Sequence, residues 1–168
     1  MTPLPAGLGG VALIGWRLDK AAHAGTWDSG EGAFRQGGRW NSRGRRAVYA
    51  SVDPATAIME VAVHKTFRSL DIVAHVLTSF EVSDLSGVHV VQPGDVPNPN
   101  WLRPGLPSAG QQQFGDALLA AHAFVLIPSA VSTQSWNLLF DPARAQGAYS
   151  LKTQEAFALD PRLHPPGA

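Results

Sequence analysis

The stretch Gly37–His64, GGRWNSRGRRAVYASVDPATAIMEVAVH, decides the fold. Its glycine pair lets the backbone turn tightly and pass close to a ligand. Ala47–Ser51 then alternates, with Val48 and Ala50 on one face and Ala47, Tyr49 and Ser51 on the other, which predicts a strand. Asp53-Pro54 reads as a helix start, Asp as N-cap and Pro at the first helical position. The helix should run from Pro54 to about Phe67, with Ala55, Ile58, Met59, Ala62 and Val63 at core-facing spacing. Thr56, Glu60 and His64 lie four apart and form one polar stripe on it. Turn, strand and helix thus supply a cation (Arg39), an aromatic face (Tyr49) and a carboxylate (Glu60).

Upstream, Val11–Leu18 reads as a strand, and residues 19–38 as a long glycine-rich loop with a helical turn in it. Gly30-Glu31-Gly32 starts like a dinucleotide fingerprint, but Arg35 stands where the third glycine belongs, so a Rossmann reading fails. Downstream, Ile72–Val82 and Val88–Val91 read as strands joined by a turn at Ser86-Gly87. Gln92–Gly110, with five prolines around Trp101, reads as an ordered loop. Gln111–Ala123 fits a helix, Phe124–Ile127 and Trp136–Phe140 fit strands, and Ala156–Leu159 a last edge strand. Strands outnumber helices without regular alternation. The expected class is α+β, one domain over residues 1–168, a mixed sheet with flanking helices.

Composition narrows the function. Apolar residues make up 45%, so the chain should fold, burying roughly two thirds of its unfolded surface. Thirteen basic residues balance thirteen acidic ones, which argues against direct nucleic-acid binding. There is no cysteine, which excludes disulfides, thiolate metal sites and cysteine nucleophiles and suits the cytoplasm. The N-terminus lacks a positive region before its broken apolar run, so neither a signal peptide nor a membrane span is expected. The six histidines show no ligand spacing, so no metal is expected.

Glu60 is the sharpest clue, because Ala57, Met59, Val61 and Val63 make its helix apolar on nearly all sides. A carboxylate there needs a partner or a cavity, since burying it alone is costly. Arg39 could grip a phosphate or carboxylate bidentately, or form a structural ion pair with Glu60 in a non-catalytic binding domain. Tyr49 is either core packing or a platform for a flat cationic ring, and Trp40 could wall the same pocket. In PSAVSTQSWNLLFDP, Ser129 follows a strand-ending proline without any Gly-x-Ser-x-Gly, which leaves a serine-hydrolase triad unsupported. Asn137 caps a turn or meets a ligand.

Taken together, GGRWNSRGRRAVYAS, MEVAVH and PSAVSTQSWNLLFDP resemble the RES family, toxins of bacterial toxin–antitoxin pairs named for an Arg, a Glu and a Ser. The resemblance runs from Trp16-Arg17 to FALDPRL, and by position Arg39, Glu60 and Ser129 match the naming residues. Trp16 stands where the family often has Tyr, and Asp141-Pro142-Ala143-Arg144 replaces an Asn-Pro-x-His pattern. The resemblance implies an ADP-ribosyltransferase-like fold and NAD+ as substrate. It also implies an Xre-type helix-turn-helix antitoxin as partner and a homodimer within that complex. It assigns Glu60 to transition-state stabilisation, Tyr49 to the nicotinamide, Arg17 and Arg39 to the phosphates or ribose, and Ser129 to the ribose or amide. NAD+ glycohydrolysis, phosphorolysis and protein mono-ADP-ribosylation are all compatible with that set.

Overall fold

The computed structural model describes residues 12–167. Its strands are β1 (Leu13–Lys20), β2 (Val48–Ser51), β3 (His75–Val82), β4 (Val88–Val90), β5 (Phe124–Pro128), β6 (Trp136–Phe140) and β7 (Tyr149–Phe157). They form one sheet in the order β4-β5-β6-β2-β1-β3-β7. Only the β4–β5 pair is parallel among the described residues, so the sheet is mixed and the class is α+β. The helices are α1 (Glu31–Gln36), α2 (Pro54–Ile72) and α3 (Ala109–Ala121).

Alternation along the central strands builds a core on each face of the sheet. Phe124 and Leu126 of β5, with Trp136, Leu138 and Phe140 of β6, join Val48, Ala50 and Phe80 in one cluster. Val125, Ile127 and Leu139 point the other way and pack with Trp40, Ala47 and Leu119 of α3. A third cluster seats Ala62 and Leu70 of α2 on Leu18 of β1. Burying both faces explains why β5 and β6 read as continuous apolar runs.

Several sequence-based boundaries change. The expected strand start at Val11 lies outside the described residues, and β1 continues to Lys20. The supposed loop 19–38 contains a 3-10 helix at Ala21–Thr26 and the six-residue α1, both too short to show periodicity. Helix α2 starts at Pro54 as expected, with Asp53 capping the Thr56 N–H, but it continues to Ile72 across a break at Thr66 (φ 68°, ψ 154°). That backbone geometry is strained for a β-branched residue. Residues 72–73 therefore end a helix rather than open β3. The last strand is not Ala156–Leu159 but the nine-residue β7, paired along β3 from His75↔Phe157 to Val82↔Tyr149. The 92–110 segment is ordered by two 3-10 turns, Pro93–Asp95 and Pro99–Leu102. Among the described residues no helix is long and apolar enough to cross a membrane.

Candidate active site

Strands β2 and β6 pair with Ser51 opposite Asn137, so both side chains leave the sheet on the same side, toward α2. Ser51 Oγ donates to Asn137 Oδ1 at 2.9 Å. That bond leaves the Asn137 amide nitrogen for Glu60 Oε1, 2.6 Å away on α2. Ser129, just past the end of β5, donates its hydroxyl to the same Oε1 at 2.9 Å. The Ser129 oxygen in turn accepts the Val131 and Ser132 N–H groups at 3.2 and 3.1 Å. Ser51, Ser129 and Asn137 are all buried, while Glu60 is half-buried. Two donors with fixed orientation therefore converge on one oxygen of a carboxylate at the edge of the core.

The helix that carries Glu60 is anchored beside this network. Asp53 accepts the Thr56 N–H at 2.8 Å, the Thr56 hydroxyl at 2.7 Å and the Ser135 hydroxyl. Burial alone would raise the Asp53 carboxyl, yet the bonds from Ser135 and Thr56 together hold it below the usual carboxylate range. Ser135 precedes β6, so the cap of α2 is tied to the strand that presents Asn137.

Tyr49 stands on the same strand face as Ser51, and its hydroxyl organises the turn that carries Arg39. It accepts the Trp40 N–H at 2.9 Å and donates to Asn41 Oδ1 at 2.7 Å. The glycine at 38 makes room for it, because a Cβ there would lie 2.7 Å from the phenol oxygen. Asn41 closes the turn by donating to the carbonyls of Ala33, Ser42 and Arg45. Burial pushes the Tyr49 phenol well above its ordinary range; the Trp40 N–H opposes that shift, and the charges of Arg39 and Glu60, of opposite sign, both act on it.

The structure departs from expectation at four residues. Arg39 makes no ion pair with Glu60 among the described residues; its guanidinium donates to the carbonyls of Trp101, Arg103 and Gly105 at 3.1–3.3 Å and so fastens the proline-rich loop. Trp40 is 1% exposed and packs edge-on against Phe114, so it supports the turn from inside the core instead of walling an open pocket. Its Nε1 finds no acceptor among the described residues. Asn137 caps no turn but bridges Ser51 and Glu60. Alternation along β1 puts Trp16, opposite Ser51, on the site's side of the sheet, and not Arg17. The Arg17 guanidinium occupies the seam where β1 and β2 part, donating to the Tyr49 carbonyl at 2.7 Å and bidentately to Asp19.

Two contributors escaped the sequence reading, Ser51 and Asp19. Ser51 had a signal, since it shares the strand face of Tyr49; Asp19 had none beyond its i, i+2 spacing from Arg17.

Comparisons with known proteins converge on one family. The RES domain family model matches residues 14–161. "Toxin Res" of Yersinia enterocolitica is 33% identical over 144 residues, covering 83% of this chain and 91% of that protein. "Prs ADP-ribosylating toxin" of a Sphingobium species is 33% identical over 160 residues, covering 88% of this chain and 94% of that protein. Among solved structures, a chain of the M. tuberculosis MbcT–MbcA toxin–antitoxin complex has a similar fold. It superposes with a TM-score of 0.63 at 21% identity, covering 88% of this chain and 85% of its own.

Proposed function

The chain belongs to the RES domain family, and from that premise we propose that it is a toxin that consumes NAD+ by cleaving the nicotinamide–ribose bond. The observation that carries this reading is the Glu60 carboxylate fixed at Oε1 by Ser129 and Asn137. Departure of nicotinamide leaves an oxocarbenium-like centre on the ribose, as in glycoside cleavage. A carboxylate already oriented beside that centre stabilises it without reorganising during the reaction. With Oε1 engaged, Oε2 is the oxygen we assign to the ribose. Tyr49, on the same strand face as Ser51, covers the departing ring. Arg39 holds its loop through long bonds to neutral carbonyls, which a charged diphosphate would outcompete. Arg17, neutralised by Asp19, holds the seam beside the site and contributes less charge to the phosphates.

Water or phosphate as acceptor makes the protein a glycohydrolase or a phosphorylase. The printed name of the Sphingobium relative favours a second reading, transfer of ADP-ribose to a protein. Since the similar MbcT–MbcA fold comes from a toxin–antitoxin complex, we assign an antitoxin partner, of the Xre helix-turn-helix type, that covers the site and assembles the toxin as a homodimer in the cytoplasm.

The test is nicotinamide release from NAD+ by the pure protein. Wild type should release it, and Glu60→Gln should lose about 100-fold or more with its fold intact. No release from wild type, or equal release from the variant, overturns the proposal. Radiolabel retained on a protein target instead of free ADP-ribose selects transfer.

A further inference from the structure

A cleft of about 700 Å³ opens at the N-terminal end of β5. Ser129 lies just beyond the other end of that five-residue strand, about 17 Å away along it. The cleft is therefore separate from the Glu60 network. Three chain segments bring nitrogen-bearing side chains to it: His89 from β4, His122 from the C-cap of α3, and Arg144 from the segment after β6. The two imidazoles lie face to face, 4.1 Å between centroids and 7° from parallel. Arg144 Nη2 donates to the Ala121 carbonyl at 2.9 Å.

The plain explanation is that His122 and Arg144 complement the carbonyl end of α3. It covers one Arg144 bond out of a guanidinium's five donors, and it gives His89, on a strand, nothing to do. Among the described residues no carboxylate lines the cleft. The nearest in sequence, Asp84, accepts both the backbone N–H and the hydroxyl of Ser86 and is thereby engaged. Burial, His89 and Arg144 hold the His122 imidazole below its ordinary range. Two stacked rings beside a guanidinium resist a second and third positive charge until an anion arrives to compensate them.

We propose that this cleft is a second anion site, taking a phosphate or phosphomonoester group against the imidazoles of His89 and His122 and the guanidinium of Arg144. Binding draws a proton onto His122, because the anion favours its charged form. For an anion of fixed charge, affinity therefore rises as pH falls, by up to about tenfold per pH unit. The site is independent of the NAD+ reading, since no residue is shared.

Inorganic phosphate titrated into the full chain, with the imidazole carbon-bound protons followed by NMR, tests it. The expected result is saturable shifts at His89 and His122, and for sulfate, which stays a dianion across this range, tighter binding near pH 6 than near pH 8. Arg144→Gln should abolish saturation, while Glu60→Gln should bind phosphate at these imidazoles like wild type. Glycerol phosphate in a parallel titration shows whether an ester binds more tightly than the free anion; either order fits. Absence of saturation, equal sulfate affinity at both pH values, or wild-type binding by Arg144→Gln overturns the proposal. So does a response of the two imidazoles to zinc and not to phosphate. None of these outcomes bears on NAD+ cleavage, which is read separately by nicotinamide release.

Discussion

Asn137 Nδ2 lies 2.6 Å from Glu60 Oε1 across 77 residues of chain, and the amide cannot turn round without setting its oxygen against the carboxylate. This makes Asn137→Asp a sharp probe, because it replaces the donor with a second carboxyl facing the first. Two carboxylates at that spacing cannot both stay ionised, so one must hold a proton. Nicotinamide release at neutral pH should fall by about 100-fold while the far-ultraviolet circular dichroism stays that of wild type. Unchanged release would remove Asn137 from the site.

Tyr49→Phe separates two roles for the phenol. The hydroxyl joins the Trp40 N–H to Asn41 Oδ1, so removing it strands a donor and an acceptor. Urea denaturation should show a loss of about 2–3 kcal/mol. A residue acting only as an aromatic cover would leave the midpoint where it was.

Gly115→Ala puts opposing effects in competition. Alanine in a helix interior is favoured over glycine by about 1 kcal/mol. Here, however, its Cβ would meet the Trp40 carbonyl oxygen at 2.0 Å and the carbonyl carbon at 2.5 Å. Backbone cannot swing aside as a side chain can, so overpacking should win by about 3 kcal/mol. A drop in Tm of roughly 6–12 °C is the expected reading, and a rise would show that α3 does not press on the turn.

Asp53 gives the acid limb of the stability profile a sign. Its carboxyl sits below the usual range in the folded chain, so its contribution is present above the unfolded value and disappears as pH falls through the folded one. Asp53→Asn keeps the capping geometry but loses the charge. The variant's urea midpoint should therefore trail wild type at neutral pH and meet it only once pH has fallen below the folded carboxyl's lowered value.

How much of this was legible follows from where each signal resides. The turn, β2 and the start of α2 carry local signals: a glycine pair, a two-residue alternation, an Asp-Pro cap. Strand β7 carries none, because YSLKTQEAF is exposed along nearly its whole length and is held by its ladder to β3. Glu60 stood out as the wrong residue on an apolar helix, yet nothing local could say that its donors are Ser129 and Asn137. Arg39 was conspicuous as a cation after a glycine pair, but its three carbonyl partners lie more than sixty positions away in an irregular loop. The stacked His89 and His122 share no spacing motif, and only the β4–β5 pairing brings them face to face.

The distance in chain between Glu60 and its two donors, 69 and 77 residues, orders events during synthesis. A ribosome must translate past Asn137 before the acid can acquire both neighbours. Prematurely terminated products therefore carry the acid without its full set of donors.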